Sequence, residues 1–600
     1  MSVLTIVDVT GTQNYIFGTN KLRENIGASE IVAQATDAWV RDLAKDQVIY
    51  CGGGNSLILF DDLTDAKAFA KAYTKKLLLD APNLDVVLAH SEPFEINTFV
   101  SLDIPTDETD DSDQPIIRKV TVPKICQVFD KTLSKLNEKK AHRQISAPLA
   151  GLAVSAQCIS TGGVASFDPL VLAKRADGSV LDEALRDKYQ ENHVSAESFI
   201  KIATADKATM RLRNEIFNGI DLAGLEIPRE LDHLGRSEGE SSFIAVVHTD
   251  GNRMGHRIKE NGKSATSDAE WITRMRELSA SIHETNLDAL KATLKVLRAH
   301  IKKNDKNIWV LESGNGDSFE LSFDKKKAKQ FFPLRPLIFG GDDLTFVCDG
   351  RIALAITAFY LKELMRKGKN GDFVYKLADG KPLYARAGIA IVKSHYPFSR
   401  AYELAENLAK SAKERISEID KDKKEVYALD WHVAMSGLFG SIEEIRAREY
   451  TTPQGGKLNM RPLSLKRDES DGEWRTWEVF KSIIEAFQGH DKNKTKEENE
   501  HFSWREKRNK VKAFRDALRG GSDKVWEFLT LYKLIEKKED GTEESKMPKV
   551  PIKVQEVKTT GWHGKTCGYF DAIEMLDLYF PLKSGSNPIP TRKEKAPDDL

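Results

Sequence analysis

Two stretches of this chain carry the same succession of apolar runs, glycine turns and amphipathic segments. In the first, apolar residues 4–9, broken by Asp8 and closed by Thr10-Gly11, have the pattern of a buried strand running into a turn. A helical period covers about residues 20–45. Apolar residues 48–50, the turn Gly52-Gly53-Gly54-Asn55-Ser56 and apolar residues 57–60 then predict strand, hairpin and strand. A helix over about residues 65–79 and strands near 85–89 and 94–101 complete the unit.

The second stretch opens on Phe243-Ile244-Ala245-Val246-Val247 and leaves its apolar run through His248-Thr249-Asp250-Gly251-Asn252. A helical period over about residues 268–300 and an insertion follow. Next come Leu337-Ile338-Phe339, the turn Gly340-Gly341-Asp342-Asp343, and Leu344-Thr345-Phe346-Val347. A helix over about 351–366, a strand over 385–392 and a helix over about 399–416 close the unit.

Both stretches read β-α-β-turn-β-α-β, a weak internal repeat. That order predicts an α+β protein with two ferredoxin-like palm domains, antiparallel sheets backed by helices, of the kind found in polymerases and nucleotide cyclases. The expected division is a first palm domain with a degenerate site over 1–110, a mostly helical connecting domain over 111–240, a second palm domain over 241–465 and a C-terminal helical domain over 466–600. An acidic loop is expected at 103–113, a charged linker at 490–500 and a frayed tail at 583–600.

With 600 residues the chain is too long for one core. Its 90 basic and 91 acidic residues nearly cancel, so net charge gives no argument for nucleic acid or membrane; such binding would need a local patch. No apolar run approaches the length of a membrane span, and the start lacks a signal peptide's basic region. Five scattered cysteines without CxxC spacing predict neither a disulfide framework nor a zinc ribbon. The expectation is a cytoplasmic, reduced protein.

Candidate chemistry sits at the second glycine turn. Transfer of a nucleotidyl group from ATP uses divalent cations, and Mg2+ or Mn2+ choose carboxylate oxygens. Asp250 at the end of one strand and Asp342-Asp343 in an adjacent hairpin would bring such oxygens to one sheet edge. Asp342 is expected as the main metal ligand and Asp343 as second or supporting; read alone, Gly-Gly-Asp-Asp is a plausible type I′ turn. Gly251, Asn252, Gly340 and Gly341 are expected to leave backbone open to a nucleotide. Taken singly, Gly-Gly-Asp-Asp and Asp-Gly are common turns; their joint placement after apolar strands in a repeated unit favours catalysis. Matching Gly53-Gly54 to Gly340-Gly341 sets Asn55 against Asp342 and Ser56 against Asp343, so the first unit keeps Asp8 but loses its partners. Lys413 on the last helix is a candidate phosphate contact, equally well read as a solvated helix face, which is the favoured reading for Lys410. The basic stretch from Arg505 to Arg519 reads foremost as a solvated helix face.

With these residues in place, the chain resembles the large subunit of type III CRISPR effector complexes, the Cas ten (Csm/Cmr large-subunit) palm family. The resemblance is carried by Asp8-Val9-Thr10-Gly11-Thr12-Gln13, Leu22-Arg23-Glu24-Asn25-Ile26-Gly27-Ala28-Ser29, Asp250-Gly251-Asn252, Gly340-Gly341-Asp342-Asp343, Ala412-Lys413, Leu429-Asp430-Trp431-His432 and Arg461-Pro462-Leu463. It implies synthesis of cyclic oligoadenylate from ATP in antiviral defence, with Asp250, Asp342 and Asp343 as catalytic carboxylates and metal ligands. It also implies other effector subunits and guide or target RNA as partners. Members often carry an HD nuclease domain; the only His-Asp doublet here, His490-Asp491, lies in a polar linker, so no HD nuclease activity is expected. The family's zinc-binding cysteine cluster is absent. Two other readings stay open: a diguanylate-type cyclase, and a non-catalytic palm scaffold or nucleotide-sensing subunit.

Overall fold

The computed structural model describes residues 1–109, 115–143, 154–165, 193–235, 242–314, 316–324, 328–420, 425–435, 440–465, 474–489, 504, 507–537, 543–545, 547 and 555–582. The 490–500 linker with His490-Asp491, the 583–600 tail, Arg505 and residues 110–113 of the expected acidic loop lie outside the described residues.

The first unit is built from β1 (Val3–Thr10), α1 (Thr12–Phe17), α2 (Leu22–Thr36), α3 (Ala38–Ala44), β2 (Val48–Gly52), β3 (Asn55–Phe60), α4 (Leu63–Asp80) and β4 (Asp85–His90). Its strands form one antiparallel sheet in the order β2-β3-β1-β4. The helical period over 20–45 is broken at Asp37, whose backbone (φ −129°, ψ −80°) ends α2 and starts α3.

A hairpin of β5 (Phe99–Thr109) and β6 (Pro115–Pro123) follows, then α5 (Lys124–His142) and α6 (Ala196–Glu215). The hairpin corrects two expectations. Residues 103–109 are strand instead of acidic loop, and Phe99–Thr109 pairs with Pro115–Pro123 instead of joining the first sheet. The β-branched run Ile116, Ile117, Val120, Thr121, Val122 supplies the strand propensity.

The second unit comprises β7 (Phe243–Gly251), α7 (Met254–Lys263), α8 (Asp268–Ala299), β8 (Leu334–Gly340), β9 (Asp343–Asp349), α9 (Ala353–Leu364), β10 (Ala385–Lys393) and α10 (Phe398–Ile419). Its sheet repeats the first unit's order as β8-β9-β7-β10, then extends by β11 (Ala428–Ala434), parallel to β10, and β12 (Leu463–Ser464). Alternation along β7 sends Ala245 and Val247 to one core and Ile244 and Val246 to another, so the sheet is covered on both faces. On the second of these faces α10 lies tight against β10. A Cβ on Gly388 would sit 1.9 Å from the Ala405 carbonyl oxygen and 2.4 Å from the Ala409 amide nitrogen.

The two units face each other with approximate two-fold correspondence. Helix α2 packs on β8, where the Ser29 hydroxyl donates to the Leu337 carbonyl, and α8 packs on β2, where Arg276 Nη2 donates to the Val48 carbonyl at 3.0 Å. Phe17 of the first unit stacks on Tyr402 of the second with ring centroids 4.0 Å apart. The glycine turns meet tip to tip: a Cβ on Gly341 would lie 2.9 Å from Gly53 Cα.

Beyond β12, helices Trp477–Gln488, Arg508–Arg519, Ser522–Leu531 and Phe570–Glu574 pack on the second unit's far face, with Trp431 against Phe480 at 4.9 Å. The segment also holds a short hairpin, Ile535–Lys537 with Glu543–Ser545, that a helical reading leaves out. Arg461, fully buried, reaches Asp571 at 3.0 Å and Glu574 at 2.7 Å, joining the exit of the second unit to this segment. No helix of the described residues is long and apolar enough to cross a membrane.

Candidate active site at the second glycine hairpin

The register of β7 fixes what faces what. Leu344 pairs with Thr249 and Thr345 with His248, so one step further Asp343 stands across from Asp250. On the other side Asp250 pairs with Arg386 of β10. Side chains two apart on a strand share a face, which sets His248 and Asp250 beside Asp343 and Thr345. The ligand atoms of His248, Asp250 and Asp343 lie within 4.8 Å of one another. Asp342, in the turn, leans over Gly251, where a Cβ would meet its Cβ and Oδ2 at 2.8 Å. Gly251 is glycine because the acid needs that space.

Of the two hairpin acids, Asp343, the first residue of β9, shares the group with His248 and Asp250, and Asp342 lies in the turn beside Gly251. Gly341 has φ 62° while Asp342 is outside the left-handed region, the φ pattern of a type II′ turn and not of type I′. The first unit's turn, with Gly53 at φ 61° and Gly54 at φ 82°, is the one with the type I′ pattern.

The first unit's equivalences shift by one residue as well. Asp8 pairs with Asn55 in the sheet, so Asn55 stands where Asp343 does, and Gly54 where Asp342 does. The first unit thus loses both acids, one to an amide and one to hydrogen. Lys140 of α5 reaches Asp8 Oδ1 at 2.8 Å, much as Arg386 is paired to Asp250, but here no hairpin carboxylate stands across from the acid.

Electrostatics separate the two sites further. Burial, then repulsion from Asp250, pushes the Asp342 carboxyl up to about 6. Burial, then Asp342 and Asp250, pushes Asp343 well above the usual range. Asp250 is raised by burial, with Arg386 and then Lys413 pulling it back. Burial and the nearby Arg386 hold His248 down to about 4, leaving a neutral imidazole. Three carboxylates share this corner with one guanidinium in contact. His248, Asp250 and Asp343 together could hold a metal ion.

Arg386 and Asn286 are site residues that sequence reasoning missed. Arg386 is paired to Asp250 Oδ2, and its Nη1 donates to the Gly251 carbonyl at 3.1 Å and to Asn252 Oδ1 at 3.0 Å. An arginine in the otherwise apolar run Ala385 to Val392 was the available signal. Buried Asn286 of α8 donates to the Gly341 carbonyl at 3.0 Å and accepts from the Tyr360 hydroxyl at 2.7 Å, holding the hairpin's backbone from behind. Its Asn-in-helix signal is too common to read unaided.

The remaining predicted residues divide. Asn252 turns inward: its amide donates to the Val426 carbonyl at 3.1 Å and its oxygen accepts from Arg386. Gly340 borders open space, with nothing within 4 Å of where a Cβ would lie, whereas Gly341 is committed to Gly53. Lys413, exposed on α10, acts electrostatically on Asp250, while Lys410 pairs with Glu406 at 3.4 Å. A cleft of about 1040 Å3 runs between the units from Gly11 and Thr12 to His248, Gly340 and Asp343.

The Arg386 clamp has a measurable weight. Arg386→Gln leaves Asp250 and two carbonyl-type oxygens facing one another without their shared cation. The expected result is a loss of about 1–3 kcal/mol in urea unfolding. An unchanged unfolding midpoint would mean that water takes over the guanidinium's bonds.

No family model and no curated protein matches the sequence. The Csm1–Csm4 cassette in complex with pppApApA aligns with a TM-score of 0.48 and 14% identity, over 96% of this chain and 69% of that chain. The cassette in complex with one ATP gives a TM-score of 0.47 and 14% identity, over 96% of this chain and 69% of that one. Csm1 in T.onnurineus gives 0.43 and 14%, over 89% of this chain and 63% of that chain. These three solved structures are of Csm1, alone or in the Csm1–Csm4 cassette of type III CRISPR systems.

Proposed function

We propose that this protein is a metal-dependent nucleotidyltransferase that joins ATP into oligoadenylate and closes it into a ring, with its catalytic carboxylates at Asp250, Asp342 and Asp343. In this reading the two units are palm domains, the second catalytic and the first non-catalytic. The domains divide near residues 110, 240 and 465. Other effector subunits and guide or target RNA are its partners, in a CRISPR-type antiviral role.

The observation that carries it is the acidic corner itself. Three carboxylates crowd one corner, of which Asp343 lines the cleft between the units, against the folding interest of the chain, with Arg386 paired to Asp250. A bound divalent cation supplies neutralisation of the triphosphate and a more acidic 3′-hydroxyl. Asp343, Asp250 and His248 would hold it, with Asp342 at the rim. Arg386 fixes Asp250 in place, Asn286 fixes the hairpin, and open Gly340 leaves room for a nucleotide. Lys413, exposed and close enough to act on Asp250, would meet phosphate oxygens. In the first unit no hairpin carboxylate stands across from Asp8, so that unit binds nucleotide or packs without catalysing.

Nucleotidyl transfer releases pyrophosphate, whereas hydrolysis of the terminal phosphate releases phosphate. Pyrophosphate release from each of the four NTPs, with Mg2+ or Mn2+, is expected from ATP. Release from GTP instead would support the diguanylate-type reading, and none with any NTP would support a scaffold. Asp8→Ala is expected to retain at least about half of the pyrophosphate release, because Lys140 already occupies that carboxylate. A loss comparable to that of an Asp343 variant would place chemistry in the first unit.

A further inference from the structure

His248 enters the acidic corner with a feature that the carboxylates lack. Its side chain is 6% exposed, and it lines the cleft beside Asp343. Nδ1 lies 3.2 Å from Thr345 Oγ1, directly across the sheet in the register that also brings Asp343 to Asp250. With Nδ1 donating its proton there, the lone pair stands on Nε2, for which the described residues provide no hydrogen bond. The ring is oriented further by Tyr402, edge-on at 5.6 Å. A buried imidazole with Nδ1 at a hydroxyl and a ring nitrogen within 4.8 Å of two carboxylate oxygens suits a metal-ligating histidine with its supporting bond.

We infer that His248 is a nitrogen ligand of the cation held by Asp250 and Asp343, and that this makes the site selective for Mn2+ and its first-row neighbours over Mg2+. The inference rests on the reading of this corner as a metal site. Two ligands about 2.1–2.2 Å from one ion can lie at most about 4.3 Å apart. Three ligand atoms within 4.8 Å of one another lie no more than about 2.8 Å from a common point, so an inward shift of about 0.6 Å each at most gathers them around one ion. Mg2+ is hard, takes oxygen ligands and gives up its waters reluctantly. First-row divalent ions accept imidazole readily, with affinity rising from Mn2+ onward. A histidine among the ligands therefore separates the two classes of ion where a third aspartate would not. Thr345 is the positioning residue, since its hydroxyl fixes which nitrogen faces the ion.

The test is Mn2+ titration of the full chain without nucleotide, followed by electron paramagnetic resonance. Pulsed spectra of the bound ion are expected to show coupling to an imidazole nitrogen, which His248→Gln abolishes. The same variant is expected to weaken Mn2+ binding about 10–100-fold while changing Mg2+ competition by less than about 2-fold. Thr345→Val is expected to weaken Mn2+ binding with the nitrogen coupling still present. Bound Mn2+ without nitrogen coupling in the unaltered protein, or no bound Mn2+ at all, would overturn the inference even if no variant folds. Activity separates it from the functional proposal. Nitrogen coupling without pyrophosphate release keeps the ligand and removes the enzyme, and pyrophosphate release without coupling does the reverse.

Discussion

Asp343→Asn is expected to abolish nucleotidyl transfer while making the metal-free protein more resistant to heat. The first half follows from position. Asp343 faces Asp250 across the sheet and shares the His248 group, so its loss removes a carboxylate from the centre of the site. Removing one charge-stabilising contact at an active site typically costs about 100- to 1000-fold, and a central metal carboxylate belongs at or above the top of that range. The second half follows from charge. Asp343 is held far above its ordinary range by burial and by repulsion from Asp342 and Asp250, so its ionised form works against folding. A neutral amide of the same shape removes that repulsion, the usual trade between activity and stability at functional sites. Melting temperature without metal should rise by a few degrees, since about 1 kcal/mol corresponds to roughly 2–4 °C for a domain of this size. Added Mn2+ should raise the melting temperature of the unaltered protein and do so much less in the variant. A variant that melts lower and still responds to Mn2+ would show that Asp343 is structural.

The other large effect is expected at the helix-facing side of the same sheet, where Gly388 pairs with His248. Gly388→Ala places a methyl group 1.9 Å from the Ala405 carbonyl oxygen and 2.4 Å from the Ala409 amide nitrogen. Both are backbone atoms of α10 and cannot swing aside. The helix must lift from the sheet, opening a face that buries Leu404, Ala405, Leu408 and Ala412. Overpacking typically costs about 1–3 kcal/mol, and a contact this short against backbone falls at about 3 kcal/mol or more. Urea unfolding should show a marked drop in midpoint, or the variant should fail to accumulate as soluble protein. Since α10 also carries Lys413 above the acids, any folded fraction should lose activity. A midpoint equal to that of the unaltered protein would show that α10 sits looser on β10 than the geometry implies.

The repeat was legible because both sheets are assembled from apolar runs of strand length separated by glycine turns, and both place an acid at the end of the first strand. The hairpin correspondence was not legible. Three successive glycines at 52–54 can be matched to two at 340–341 in more than one way, and only the pairing of Asp8 with Asn55 decides between them. Which of Asp342 and Asp343 faces the first strand was hidden for a related reason: it depends on where the turn lies, and the two-residue turn Gly341-Asp342 begins one residue later than the matched glycines suggest. His248 carried a readable signal, since it lies two residues before Asp250 and so on the same face. The partners of Asp250 and of the hairpin, Arg386 and Asn286, come from elements 136 and 57 or fewer residues away, and nothing local in sequence links them. The β5–β6 hairpin was hidden by the acidic character of its first strand, which reads as loop when pairing is unknown.

The most direct test of the central claim is mass spectrometry of the products formed when the purified protein is incubated with ATP and Mn2+. Oligoadenylates, including species whose mass lacks a terminal triphosphate because the ring has closed, are expected from the unaltered chain and are expected to be absent with Asp343→Asn. Unchanged ATP, or only ADP and phosphate, from protein shown to hold both Mn2+ and nucleotide would contradict it.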